Sequence, residues 1–149
     1  MMKERISLVP AVYLFLKKYN QIFMARRYNT GYCDGFYSFV AGHIEGDETF
    51  GEAMVREAKE EANIIINPSD LKILHITYRY VLNEKNRLDV FMTADAWHGG
   101  PCNMEPNKCD HMDWFSENDI PNNTIPYIKH AILQINRGIF CSQFGFESR

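Results

Sequence analysis

The sequence predicts a mixed α/β domain in which one sheet carries helices on its faces. Three observations lead there: runs rich in β-branched and aromatic residues recur along the chain, two segments space their apolar residues at the helical period, and clusters of turn-forming residues separate them. A length of 149 residues fits one domain, taken as 1–149, and can bury a core without staples.

The elements follow in chain order. The start, MMKERISLVPAVYLFLKK, joins a short basic stretch to an apolar run, the outline of a signal peptide. Pro10 interrupts the run, Lys17 and Lys18 close it, and no small-residue cleavage site follows, so the segment reads as a strand. Residues 7–16 and 21–26 read as a hairpin around Tyr19 and Asn20, and the loop RYNTGYCDG follows. Residues 37–44 (YSFVAGHI) form a short strand leading into an acidic helix over 49–62. Residues 67–70 break the chain, and 71–82 and 88–97 read as a pair of long strands around the turn NEKN. Beyond a polar loop opened by Gly99, Gly100 and Pro101, residues 113–115 suit one more short strand. A second helix spans about 125–137, where Ile128, Ile132 and Ile135 keep helical spacing before Gly138. The apolar tail IFCSQFGF is expected to pack on the domain or on a second copy in a homodimer.

Composition narrows the function classes. Hydrophobic content of 46% and charged content of 23% match ordinary globular proteins, and a net charge of -3 argues against a nucleic-acid polymer as partner. No apolar stretch approaches a membrane span, so no membrane partner is expected. Cys33, Cys102, Cys109 and Cys141 show no CxxC spacing, which suits a reduced, cytoplasmic setting. His98, Cys102, Cys109 and His111 share a loop-rich stretch but match no common zinc module.

The acidic helix, within GHIEGDETFGEAMVREAKEEANI, holds the chemical signal. Successive residues rotate by about 100°, so Glu57, Glu60 and Glu61 fall within an arc of about 100° on one face. Met54, Val55, Ala58 and Ala62 fall on an adjoining arc suited to packing on a sheet, which leaves the acids at the margin of the core. Clustered carboxylates repel unless compensated, and a divalent cation compensates best. Oxygen donors favour Mg²⁺ or Mn²⁺, whose coordination substrate phosphates commonly complete. Arg56, four residues from both Glu52 and Glu60, can fix a carboxylate rotamer. Alone, GEAMVREAKEEA also reads as a solvated helix laced with ion pairs.

The spacing around the helix separates these readings. Gly42, Glu48, Arg56-Glu57, Ala58, Lys59, Glu60-Glu61 and Ile64 together resemble the 23-residue signature of Nudix hydrolases. Two departures are visible: Asn63 stands where the signature has glycine, and Val40-Ala41 precede Gly42 where many members have Pro-Gly. Asn is the next residue able to end a helix left-handed. The segment NMEPNKCDHMDWF also resembles a MutT-like subgroup that acts on nucleotides.

The resemblance implies an α/β/α sandwich with a mixed β-sheet. It implies a metal set of Glu57, Glu60, Glu61 and the Gly42 carbonyl holding Mg²⁺ or Mn²⁺, with Glu48 and Arg56 orienting the acids. Glu57, with Glu105 second, is implied as the base for a water attacking a pyrophosphate bridge in a nucleoside diphosphate linked to another group. A (deoxy)nucleoside triphosphate, including an oxidised one, leads as substrate; ADP-ribose and nucleotide sugars stay open, as does a non-catalytic nucleotide-binding module. Among other residues, Tyr32, Phe36 and Trp114 could stack on a base or simply pack, and Asp110 or Asp113 could accept hydrogen bonds from its edge. Arg26, Arg27 and Lys108 could contact phosphate.

Overall fold

The computed structural model describes residues 2–149. The strand β1 (Val9–Leu14) lies inside a five-stranded mixed sheet and runs parallel to β7 (Arg87–Ala94) on one side. On its other side it pairs antiparallel with β5 (Val40–His43). Beyond β7 come antiparallel β6 (Leu71–Arg79) and, parallel to β6, the short edge strand β9 (Cys141–Phe144). A β-strand alternates its side chains between two faces. Val12, Leu14, Val90 and Met92 accordingly face one core with Ala53, Met54 and Ala58 of the helix α1 (Phe50–Ala62). Ala11, Tyr13 and Phe91 face another with Ile128, Ala131 and Ile132 of α2 (Pro126–Asn136). The sheet is therefore sandwiched between two helices, as expected.

A second sheet contributes residues to both cores. Its central strand β3 (Gln21–Arg27) pairs antiparallel with β8 (Cys109–Ser116) on one edge and with β2 (Lys17–Lys18) and β4 (Tyr37–Ser38) on the other. The expected hairpin is thus realised only at its tip, where Tyr19 and Asn20 take positive φ. The reason is burial: β1 is apolar on both faces and belongs inside the larger sheet. The expected strand over 37–44 likewise divides at Phe39 as the chain passes between sheets. The short strand over 113–115 extends to eight residues, because β3 offers a full-length partner to a polar-looking segment. The tail packs on its own domain by adding β9 to β6.

α1 begins at a capping box in which the Thr49 hydroxyl accepts from the Glu52 N–H and the Glu52 carboxylate accepts from the Thr49 N–H. It ends on Asn63 at φ 54°, the left-handed conformation expected there. No helix among the described residues is long and apolar enough to cross a membrane.

Candidate active site

The sandwich sets α1 beside β5, and the carboxylates meet the strand. Gly42 is required by this approach, since a Cβ there would overlap the Glu57 side chain. The neighbouring Ala41 N–H donates to Glu61 Oε2 at 3.0 Å. Arg56 forms the hub of the cluster. Its Nε and one Nη donate to the two Glu48 oxygens at 2.8 and 3.0 Å, and its other Nη donates to Glu57 at 2.6 Å and Glu60 at 3.4 Å. The His43 carbonyl accepts a further bond at 3.1 Å, tying helix to strand. Glu48, Arg56 and Glu57 thus form one oriented network.

Glu57, Glu60, Glu61 and Glu105 line a pocket of about 610 Å³ with Gly42, and Arg26, Arg27 and Lys108 line it as well. Glu105 reaches it because its loop is fastened to the end of α1: the Met104 N–H donates to the Glu61 carbonyl and the Cys102 N–H to the Ala62 carbonyl. The loop is held at its base by Asn103, whose side chain donates to the Cys109 carbonyl and accepts from the Glu105 N–H.

The electrostatics record the crowding. Burial pushes the Glu57 carboxyl up, against the pull of Arg56, with Glu60 and Glu105 adding to the rise. Burial likewise pushes Glu61 up to about 8, opposed by the Ala41 N–H and reinforced by Glu57 and Glu105. The Arg56 hydrogen bond holds Glu48 below the ordinary range. Two carboxylates that ionise reluctantly, beside a third and a fourth, make a donor set suited to a hard divalent cation. The chemistry of the donors fits Mg²⁺ or Mn²⁺. In the structure Arg56 holds Glu57 and Glu60 and the backbone holds Glu61, so no three side chains converge on an ion-sized point among the described residues.

Other expected site residues separate. Arg26 lines the pocket, but its Nε donates to Asp110 at 2.7 Å, so Asp110 lies outside the pocket lining with its charge already engaged. Arg27 has no carboxylate partner among the described residues; it donates to the Tyr32 carbonyl and the Thr30 hydroxyl. Tyr32 lines an adjoining recess. Phe36 is exposed and lines neither cavity. Trp114 is half-buried against the core, edge-on to Phe23 at 5.3 Å and stacked on Trp97 at 6.3 Å, and lies outside the lining of both cavities. Sequence reading passed over Arg79 and Tyr127, which line the recess. The available signal was Arg79 and Asp89 together, opposite charges in two strands that pair in one sheet.

These residues build a mixed-sheet sandwich with an acidic helix clamped to a glycine-bearing strand. The chain belongs to the NUDIX domain family, whose model matches residues 7–134. It is 27% identical over 119 residues to the NAD-capped RNA hydrolase NudC of Photorhabdus laumondii subsp. laumondii, covering 77% of this chain and 42% of that protein. The chain therefore spans less than half the length of this curated relative. It is 31% identical over 70 residues to the 8-oxo-dGTP diphosphatase of Proteus vulgaris, covering 47% of this chain and 62% of that protein. Among solved structures, the MutT NUDIX hydrolase from Burkholderia pseudomallei superposes with a TM-score of 0.78 at 19% identity, covering 86% and 98% of the two chains.

Proposed function

We propose that the protein hydrolyses the pyrophosphate bond of a nucleoside diphosphate linked to another group, with a (deoxy)nucleoside triphosphate, including an oxidised one, as the leading substrate. The carrying observation is the pocket in which five glutamates, Glu45, Glu57, Glu60, Glu61 and Glu105, stand with Arg27, which has no carboxylate partner among the described residues. The likeness to the 8-oxo-dGTP diphosphatase supports the triphosphate. The likeness to NudC keeps a larger dinucleotide as the second reading.

Glu57, Glu60, Glu61 and the Gly42 carbonyl would hold Mg²⁺ or Mn²⁺. When bound, such ions acidify water and neutralise phosphate charge. The remaining work falls to the chain. Glu48 and Arg56 fix the Glu57 rotamer, and Arg27 takes a phosphate oxygen. Glu57, or Glu105 if Glu57 is committed to the metal, accepts the proton as water oxygen bonds to phosphorus. The bridging P–O bond breaks, and a monophosphate leaves with pyrophosphate. A cytoplasmic setting and a homodimer remain part of this reading.

The test is phosphate release from nucleoside triphosphates, oxidised forms, ADP-ribose and nucleotide sugars with Mg²⁺ or Mn²⁺, using coupled pyrophosphatase and phosphatase. Rapid turnover of triphosphates, lowered by orders of magnitude in Glu60→Gln with unchanged circular dichroism, is expected. Near-normal turnover of that variant at saturating Mg²⁺ would overturn the metal assignment.

A further inference from the structure

The acids of the pocket are not held alike. Arg56 binds Glu57 and Glu60, and the Ala41 N–H binds Glu61, whereas the Glu105 carboxylate has no hydrogen-bond or ion-pair partner among the described residues. Its place in the lining is therefore set by its backbone. Glu105 and Asn103 are half-buried while Cys102, Met104, Pro106, Asn107 and Lys108 around them are exposed, so packing does not fix this loop either.

Backbone geometry fixes where the loop begins. The last carbonyls of a helix lack partners within it. Those of Glu61 and Ala62 accept from the Met104 and Cys102 N–H groups at 3.1 and 3.0 Å, and Ile65 and His98 exchange a pair of backbone bonds at 2.9 and 2.8 Å. Gly99, at φ 86°, makes this crossing possible, since a Cβ there would stand 2.5 Å from the Asn63 carbonyl oxygen. The loop ends at Cys109, the buried first residue of β8, which pairs with Arg27 of β3.

Asn103 ties the two ends together. Its Oδ1 accepts from the Glu105 N–H at 3.0 Å while its Nδ2 donates to the Cys109 carbonyl at 2.6 Å. The Glu105 carbonyl in turn accepts from the Lys108 and Cys109 N–H groups at 2.9 and 3.0 Å. Holding both sides of the turn takes a donor and an acceptor on one short planar group, which an amide supplies and an ionised carboxylate does not. Resting on the reading that the acid pocket takes a divalent cation and the phosphates, we propose that Asn103 is a positioning residue for the hydrolysis, setting the point at which the Glu105 carboxylate enters the pocket. A carboxylate's pull on a cation and its reach to an attacking water both fall with distance, and about 1 Å of displacement can cost on the order of 100-fold in rate.

A double-mutant cycle of Asn103→Ala and Glu105→Gln in the full chain tests this, read first as Mn²⁺ affinity by calorimetry and then as kcat and KM for triphosphate hydrolysis. Each single variant is expected to weaken Mn²⁺ binding about threefold or more, and the double variant no further than Glu105→Gln alone. In Asn103→Ala, kcat should fall about tenfold or more with KM within about twofold, and the same substitution added to Glu105→Gln should change nothing further. If Asn103→Ala does not fold by circular dichroism, Asn103→Asp, which keeps the acceptor and loses the donor, takes its place in the cycle. Wild-type Mn²⁺ affinity in either single variant, or losses that multiply in the double variant, would overturn the proposal, as would a wild type that binds no Mn²⁺. Shared, non-multiplying Mn²⁺ losses in a protein that turns over no nucleotide would sink only the catalytic reading.

Discussion

At the residue scale, the site depends on one missing side chain. Gly42 allows the Glu57 carboxylate to lie against β5, where Arg56 anchors it. Gly42→Ala should push Glu57 off this position and lower turnover at least tenfold. Because the overlap is with a flexible side chain, the melting temperature should change little; phosphate-release kinetics and a thermal scan check both halves. Full activity in this variant would mean that the close approach is irrelevant to chemistry. The acids were legible in the sequence because a helix of known period places them without tertiary information. Trp114 was not, since an aromatic in a polar run serves equally well as a stacking platform or as core. Only its pairing opposite Phe23 decides.

At the element scale, α1 and the edge strand β9 are each held by polar devices. Thr49→Ala removes one half of the α1 capping box and is expected to cost about 1 kcal/mol. At this chain size that lowers the melting temperature by roughly 2–4 °C, to be read by calorimetry. The edge strand β9 is clasped differently. Its Ser142 hydroxyl lies 2.8 Å from Nε2 of both His75 and His130, and His75 Nδ1 lies 2.7 Å from the Ile139 carbonyl. His75 is fully buried, so Ser142→Ala strands a ring nitrogen and should cost about 1–3 kcal/mol. Hydrogen exchange in β9 should rise with it; unchanged protection there would show that backbone pairing with β6 alone holds the strand. The helices and long strands could be read in advance from their periods. The assignment of β1 and β3 to different sheets could not, because a short turn between two apolar runs leaves their partners open.

At the scale of the whole molecule, the acid cluster makes stability depend on pH and metal together. Glu61 titrates near 8 in the folded protein against 4.5 ordinarily, so between these values the folded state binds more protons than the unfolded one. Stability of the metal-free protein therefore falls as pH rises through this window. His130, pushed down from 6.5 by burial and by His75, acts in the opposite sense at acid pH. The net fall should accordingly be clearest above about pH 7. A lower melting temperature at pH 8.5 than at pH 7, flattened by Glu61→Gln, is expected in chelator. Mg²⁺ should restore more stability at the higher pH, since carboxylates bind metal in their ionised form. A flat metal-free profile that Glu61→Gln leaves unaltered would contradict the assigned burial.

What the sequence determined by itself is the local chemistry: the acidic helix with its three carboxylates on one face and an Asn63 able to end it left-handed, whereas Gly42 and Glu48 were reached only through the family resemblance. The helix is set by its period and by short-range geometry, which operate over a few residues. The tertiary structure decided what distance along the chain conceals. It brought Glu105 to the acids through hydrogen bonds to the end of α1, packed half-buried Trp114 against Phe23, and engaged Arg26 with Asp110 while leaving Arg27 without a carboxylate partner among the described residues. It also joined Arg79, Asp89, Tyr13 and Tyr127 in one recess, because strands far apart in sequence become neighbours only when the sheet closes over its two cores.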